Sequence, residues 1–159
     1  MDKNTKILII DSEYSFIATT QNTLKSSFEV ELATSAKEGL DKATKECPEV
    51  IILGYLEPRG TSFELHKELR ENPVTKNIPI IVVDVRPEEH SRKGWKRQEG
   101  LHMYADDYMS RPVEPAELMT TIDGVLRRAS AETMGLKEAS EQMERTLTRI
   151  DKIEKLLTN

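Results

Sequence analysis

Cysteine is nearly absent. The 159 residues contain one, Cys47, so no disulfide can form within the chain. That usage fits a reducing compartment, and a cytoplasmic protein is expected. Long apolar runs are absent too. They reach only four residues, as at Ile7–Ile10, against the ~20 that a membrane-spanning helix needs. Met1–Lys6 leads straight into a strand-like run, so no signal peptide is read. No glycine-rich cofactor turn, phosphate loop or nucleophile–base pair is visible. The three histidines, His66, His90 and His102, lack metal-ligand spacing. His66 lies among charged residues of a helical pattern and is expected in solvent. The net charge of −5 gives no global drive towards nucleic acid.

What is present is a highly charged surface around short apolar segments. Four of these read as buried parallel strands: Lys6–Ile10, Val50–Leu53, Ile80–Val83 and Asp107–Met109. Glu29–Leu32 is more polar and suits an edge. Helical patterns alternate with them. Tyr14–Phe28 places Phe16, Ile17, Thr20, Leu24 and Phe28 at helical spacing. Ala36–Cys47 follows a capping box of Ser35 and Glu38. Ser62–Glu71 follows a second, of Thr61 and Glu64. Pro48 and Pro73 stop the second and third helices. A last helix starts near Glu114–Pro115, where proline suits the first turn. Strands alternating with helices call for an α/β fold with a parallel sheet covered on both faces. Sites in such sheets lie beyond the carboxyl ends of the strands. Those ends carry Asp11, Gly54, Asp84 and Ser110–Arg111.

Residues 131–159 differ in kind from residues 1–130 and form a separate helical tail. Leu136, Met143, Ile150 and Leu157 recur every seven residues. Ala139 and Ile153 fill the second seam position, and Thr146 interrupts it. This is the pattern of a short coiled coil, and a homodimer through the tail is expected. A helix folded back on its own domain is the alternative. Gly135 is a weak point in helix propensity, by ~1 kcal/mol against alanine, and could bend the chain.

Three stretches carry a resemblance. They are Ile7-Leu8-Ile9-Ile10-Asp11-Ser12-Glu13, Pro48-Glu49-Val50-Ile51-Ile52-Leu53-Gly54-Tyr55-Leu56-Glu57-Pro58, and Ala105-Asp106-Asp107-Tyr108-Met109-Ser110-Arg111-Pro112-Val113. In order and spacing, Lys6 to about Ala129 resembles the receiver domain of two-component response regulators, the CheY-like superfamily. The resemblance implies a flavodoxin-like, doubly wound five-stranded parallel sheet, (β-α)5, here with a long C-terminal helical extension. It also implies a phosphorylation pocket. Two acidic residues after the first strand would hold Mg²⁺, and an aspartate ending the third would accept the phosphoryl group. A Thr or Ser and a Lys would register its arrival. This sequence departs from that set. Asp11 is retained, but Ser12 is its neighbour, with Glu13 next. Gly54 stands at the acceptor position, Asp84 at the Thr/Ser position and Arg111 at the Lys position. A degenerate receiver without aspartyl phosphorylation follows. With two of three carboxylates gone, no Mg²⁺ or other cofactor is expected. Arg111 either bridges Asp84, Asp11 or both, or points to solvent. Tyr108 matches the family's switch aromatic, and a cis Arg111-Pro112 bond is implied.

Between Asp84 and Tyr108 lies a cluster of Arg92, Lys93, Trp95, Lys96 and Arg97. One reading is a fourth helix that starts at Pro87-Glu88-Glu89 with its charges matched to the helix dipole. The other is a partner face, for which an exposed Trp95 would be the anchor. The expected function is a non-enzymatic, phosphorylation-independent interaction module. Its partner would be a protein, a histidine kinase or output protein, and neither nucleic acid nor membrane. The competing reading keeps the receiver in phosphorelay through another acceptor, Glu57 or Asp84, or through a phosphate-like ligand. An enzyme on the same fold has no residue pattern to support it.

Overall fold

A computed structural model describes residues 5–95 and 105–158. Lys96 and Arg97 of the basic cluster, and His102, lie outside the described residues. The described residues form a five-stranded parallel sheet. β1 (Lys6–Ile10), β2 (Glu29–Ala33), β3 (Val50–Leu53), β4 (Ile80–Asp84) and β5 (Asp107–Ser110) lie in the order β2-β1-β3-β4-β5. Between them run α1 (Tyr14–Leu24), α2 (Ala36–Glu46), α3 (Thr61–Glu71), a 3₁₀ turn (Pro87–Glu89) and the single-turn α4 (His90–Lys93). α5 follows β5 and extends from Pro115 to Thr158. The strand order reverses direction between β1 and β3, and the carboxyl ends of those two strands meet there.

Strand alternation builds two cores. Leu8, Ile10, Ile51, Leu53, Ile80 and Val82 face one way and pack with Ala43, Leu65 and Leu69 of α2 and α3. Ile7, Ile9, Val50, Ile52, Ile81 and Val83 face the other way and pack with Leu24, Leu118, Ile122 and Val125 of α1 and α5. Each fully buried Ile or Leu contributes roughly 1.5–3 kcal/mol. This is why runs apolar on both faces give central strands, while the mixed pattern of β2 gives an edge.

Several local expectations are corrected. α1 stops at Leu24, four residues early: Lys25–Ser27 turn, and Phe28 reaches the core beyond them. The expected box of Thr61 and Glu64 does not form. The helix begins one residue sooner, capped by Gly60 at φ 98°, and Glu64 N–H donates to the Gly60 carbonyl. Only glycine takes that backbone without strain. The box at Ser35 forms in part, since Glu38 reaches past the Ser35 N–H to that of the preceding residue. Ser35 Oγ accepts from Glu38 N–H at 3.2 Å, and Glu38 reaches back to Thr34 N–H at 2.8 Å. Among the described residues the fourth helix is a single turn, and the last basic residues of its charge pattern, Lys96 and Arg97, lie outside them. Gly94 ends α4 after four residues, and Arg59 caps it by donating to the Gly94 and Ser91 carbonyls at 2.8 Å each.

The chain separates into two compact units, Met1–Leu126 and Arg127–Asn159. The second is wholly helical over its described residues, and the helix continues through Gly135 without interruption. Its large apolar side chains, including Leu136, Met143, Ile150, Ile153 and Leu157, are exposed. No helix among the described residues is long and apolar enough to cross a membrane.

Candidate functional site at the strand ends

Asp11 directly follows β1 and is completely buried. Its Oδ1 accepts from Glu13 N–H at 2.6 Å. Its Oδ2 accepts from Tyr55 N–H at 2.8 Å and from the Arg111 guanidinium. Arg111, one residue past β5, is buried as well. Its other terminal nitrogen donates to Glu13 Oε2 at 2.7 Å, and its guanidinium lies 4.0 Å from the centre of the Phe16 ring. Both members of the ion pair are therefore desolvated, and three donors satisfy Asp11. Burial nevertheless dominates and pushes the Asp11 carboxyl up to about 6, against the pull of Arg111 and the two backbone donors.

Gly54 follows β3 beside this pair. A Cβ at Gly54 would stand 1.8 Å from Asp11 Oδ2 and 2.7 Å from Arg111 Nη2. The space that a side chain would need is filled by the ion pair. The glycine backbone is used fully. Its N–H donates to the Ile10 carbonyl at 2.8 Å, and its carbonyl accepts from buried Ser62 Oγ at 2.6 Å. Ser12 Oγ accepts from Glu57 N–H at 3.2 Å, which ties the loop after β3 to the loop after β1.

Arg111 does not bridge to Asp84. Only its backbone N–H reaches that residue, at the Asp84 carbonyl. The Asp84 carboxylate has its own partners. Oδ1 accepts from Val85 N–H at 2.8 Å. Oδ2 accepts from Tyr108 Oη at 2.5 Å, with His90 Nε2 at 3.2 Å. Tyr108 therefore keeps its ring half exposed while its hydroxyl is drawn inward. Desolvation, then the Asp84 carboxylate, hold that hydroxyl well above the usual tyrosine value. The pocket is thus two clusters. Asp11, Glu13 and Arg111 form a charged one, and Asp84, Tyr108 and His90 form a second. Sequence reading missed His90, because nothing in its spacing marks it. It also missed Phe16, which looks like a core residue.

The basic cluster is corrected. Trp95 is buried. It packs edge-on against Phe63 at 5.8 Å and His66 at 6.4 Å, and belongs to the core on the α2–α3 side of the sheet. His66 is buried beside it and not solvated. Burial drives its pKa down to about 4, and its Nε2 has no partner. A large indole outcompetes the charged neighbours in deciding which way the segment turns. Arg92 is exposed. Lys93 sits between Glu89, at 3.2 Å, and the Tyr55 ring, at 5.4 Å.

The Arg111-Pro112 bond is cis, as is Glu57-Pro58. Among the described residues no group of three or more His, Cys, Asp or Glu side chains is placed to hold a metal ion. The two acidic side chains nearest the family's cation position are already joined by a guanidinium, so this donor set does not fit a divalent ion.

Comparison with known proteins agrees with this geometry. The family model described as response regulator receiver domain matches residues 7–123. The chain is 31% identical over 142 residues to the alkaline phosphatase synthesis transcriptional regulatory protein PhoP of Bacillus subtilis, covering 89% of this chain and 56% of that protein. It is 31% identical over 130 residues to the phosphate regulon transcriptional regulatory protein PhoB of Rhizobium meliloti, covering 81% and 55%. The chain thus spans about half the length of these relatives. The chemotaxis response regulator CheY4 of Vibrio cholerae superposes with a TM-score of 0.64 at 30% identity, over 76% of this chain and 98% of that one. A putative response regulator from Chloroflexus aurantiacus gives 0.67 at 27%, over 79% and 99%. By its sheet order and these matches, the chain belongs to the response regulator receiver domain family.

Proposed function

We propose that this receiver works as a protein-interaction module of a two-component pathway without aspartyl phosphorylation, and that it is not an enzyme. The observation that carries this is the pocket's centre. Gly54 offers no carboxylate at the end of β3, and the Asp11–Arg111 pair fills the volume that an acceptor side chain would occupy. Phosphoryl transfer needs an acceptor and a cation to offset developing charge. Here the one central cation is covalently part of the chain and already shared by Asp11 and Glu13. Among the described residues Mg²⁺ has no vacant carboxylate pair to join.

The Arg111 bridge holds the ends of β1 and β5 in one arrangement, and Asp84 holds Tyr108 in one arrangement. The face around β4 and β5 is then presented constantly. Its partner is a protein: a histidine kinase, an output protein, or a second copy of the chain through the tail seam. The net charge of −5 gives nucleic acid no general attraction, although two relatives are named as transcriptional regulatory proteins. Residence in the cytoplasm fits the single thiol, Cys47.

The test is incubation of the full chain with acetyl phosphate and Mg²⁺, followed by intact-mass measurement. No gain of a phosphoryl group is expected. A gain mapped to Glu57 or Asp84 would establish phosphorelay through another acceptor instead.

A further inference from the structure

The second unit presents a feature that the receiver chemistry does not use. Over residues 127–158 the helix exposes a stripe of large apolar side chains along one seam: Leu136, Met143, Ile150 and Leu157 at one heptad position, Ile153 at the other. A seam of this kind gains free energy only when another helix covers it. The residues flanking the seam decide which helix, and in which direction.

We infer that the occupant is a second copy of this chain, joined through residues 136–157 as a parallel, in-register coiled-coil dimer. This deepens the proposed self-association and rests on it. In a parallel pair, the residue just before one seam position faces the residue five further on in the partner helix. Arg149 then meets Glu154 of the second copy, and by symmetry Glu154 meets the second Arg149. Gln142 meets Leu147 of the second copy, which extends the apolar seam on the side where Leu147 already lies. Neither antiparallel register of the seam gives the Arg149–Glu154 pair. The one that sets Leu136 against Ile153 puts Arg149 opposite Gln142 and Glu154 opposite Thr133; the one that sets Leu157 against Ala139 puts Glu154 opposite Ser140 and the two Arg149 side chains against one another. Like charges so placed oppose association. Charge therefore selects the parallel arrangement.

The polar interruption of the seam is compatible with it. Thr146 Oγ1 donates to the Gln142 carbonyl of its own helix at 3.1 Å. Its hydroxyl is already satisfied, and its methyl can face Thr146 of the second copy without burying an unpaired donor. Ala139, four residues before Met143, faces its own counterpart with little bulk between the helices.

The experiment uses the full chain and sedimentation equilibrium over a concentration series. The unaltered chain dimerises. Arg149→Glu and Glu154→Arg each replace two attractions with two repulsions and weaken the dimer about tenfold. The double variant restores it. Ala139→Cys, in a Cys47→Ser background, forms an intermolecular disulfide under mild oxidation, because only parallel register places residue 139 beside itself. These exposed helix positions do not disturb the receiver fold, which circular dichroism verifies. A dimer that is indifferent to both single charge changes and does not cross-link at 139 overturns the parallel register alone. A chain that stays monomeric at every concentration overturns the self-association reading as well.

Discussion

The strand-end pocket and the tail invert the usual distribution of polarity in opposite ways. In the pocket, charges are buried: Asp11 is 0% and Arg111 4% exposed. In the tail, apolar side chains are exposed: Leu136 is 75% and Leu157 80% exposed. Buried charge survives only when paired, and exposed apolar surface marks something still to be covered. The pocket is complete within itself, since almost every polar atom there has a partner in the same chain. The tail's large apolar side chains have no cover among the described residues. Changes in the pocket should therefore be read as lost stability, and changes in the tail as lost association.

The largest effect is expected from Arg111→Ala. It strands the buried Asp11 carboxylate, and breaking one half of a buried pair costs about 3–5 kcal/mol. Urea denaturation at pH 8 measures it. The cost should shrink at pH 5, where Asp11, pushed up to about 6 even beside its guanidinium, is largely protonated in both proteins and leaves no buried charge to strand. A cost below about 1 kcal/mol at pH 8 would mean that Arg111 is held by its packing on Phe16 and not by charge.

A second test concerns pH in the unaltered chain. Burial raises Asp11 to about 6, above the ~3.9 of an unfolded chain. The folded state then binds this proton more tightly. The Asp11 contribution is complete below about pH 4 and is lost as pH rises through about 6, by up to roughly 3 kcal/mol. His66 acts in the opposite sense. Its pKa falls to about 4, so its contribution is present above the ordinary histidine range and lost as pH falls through about 4. The informative quantity is therefore the difference between Asp11→Asn and the unaltered chain across pH 4–7. That difference should slope, and a flat one would show that Asp11 is not desolvated in solution.

Gly54→Ala comes next. The added methyl meets Asp11 Oδ2 at 1.8 Å, and overpacking of this kind costs about 1–3 kcal/mol. Gly54→Asp should be no better, because the Asp11–Arg111 pair fills the space beside it; under the proposed function it should also gain no phosphoryl group from acetyl phosphate. Tyr108→Phe is milder. It removes one hydrogen bond to Asp84, which keeps Val85 N–H and His90, so a loss of about 1–2 kcal/mol is expected.

These effects trace how far the sequence could be read. The three central strands were legible, because Ile7–Ile10, Val50–Leu53 and Ile80–Val83 are apolar on both faces, and only a doubly covered sheet buries such runs. β2 was legible as an edge, but β5, expected to be buried, is the other edge, with Met109 its one buried residue, because its polar residues suit only partial cover. The placement of Gly54 at the end of β3 was legible too, since the apolar run before it marks the strand. Partner choice within the pocket was legible only in part: Asp11, one of the two partners expected for Arg111, does pair with it. Whether Arg111 turns to Asp84 or to Glu13 depends on which carboxylate Tyr108 and His90 have already engaged, and no local pattern records that. Trp95 and His66 were misplaced for a related reason. Charged neighbours mark a segment as surface, but a single indole buries enough area to turn the segment inward. Gly60 was missed because a backbone cap leaves a weaker trace than a Ser or Thr cap.

The smallest effect on the receiver should come from the tail, and it tests the contrast most directly. Ile150 is 46% exposed and sits at the centre of the seam. Ile150→Lys places a charge where two helices would meet, so the dimer should be lost in sedimentation. Changes at exposed positions away from caps, networks and cores stay within about 0.5 kcal/mol. The receiver's unfolding free energy, measured in the same variant at concentrations where the unaltered chain is monomeric, should therefore not move beyond that. A fall of more than about 1 kcal/mol would place Ile150 in the receiver's own stabilising contacts, and the tail would then belong with the pocket as part of one self-sufficient fold. Loss of the dimer with an unchanged receiver would show that the exposed seam serves association alone.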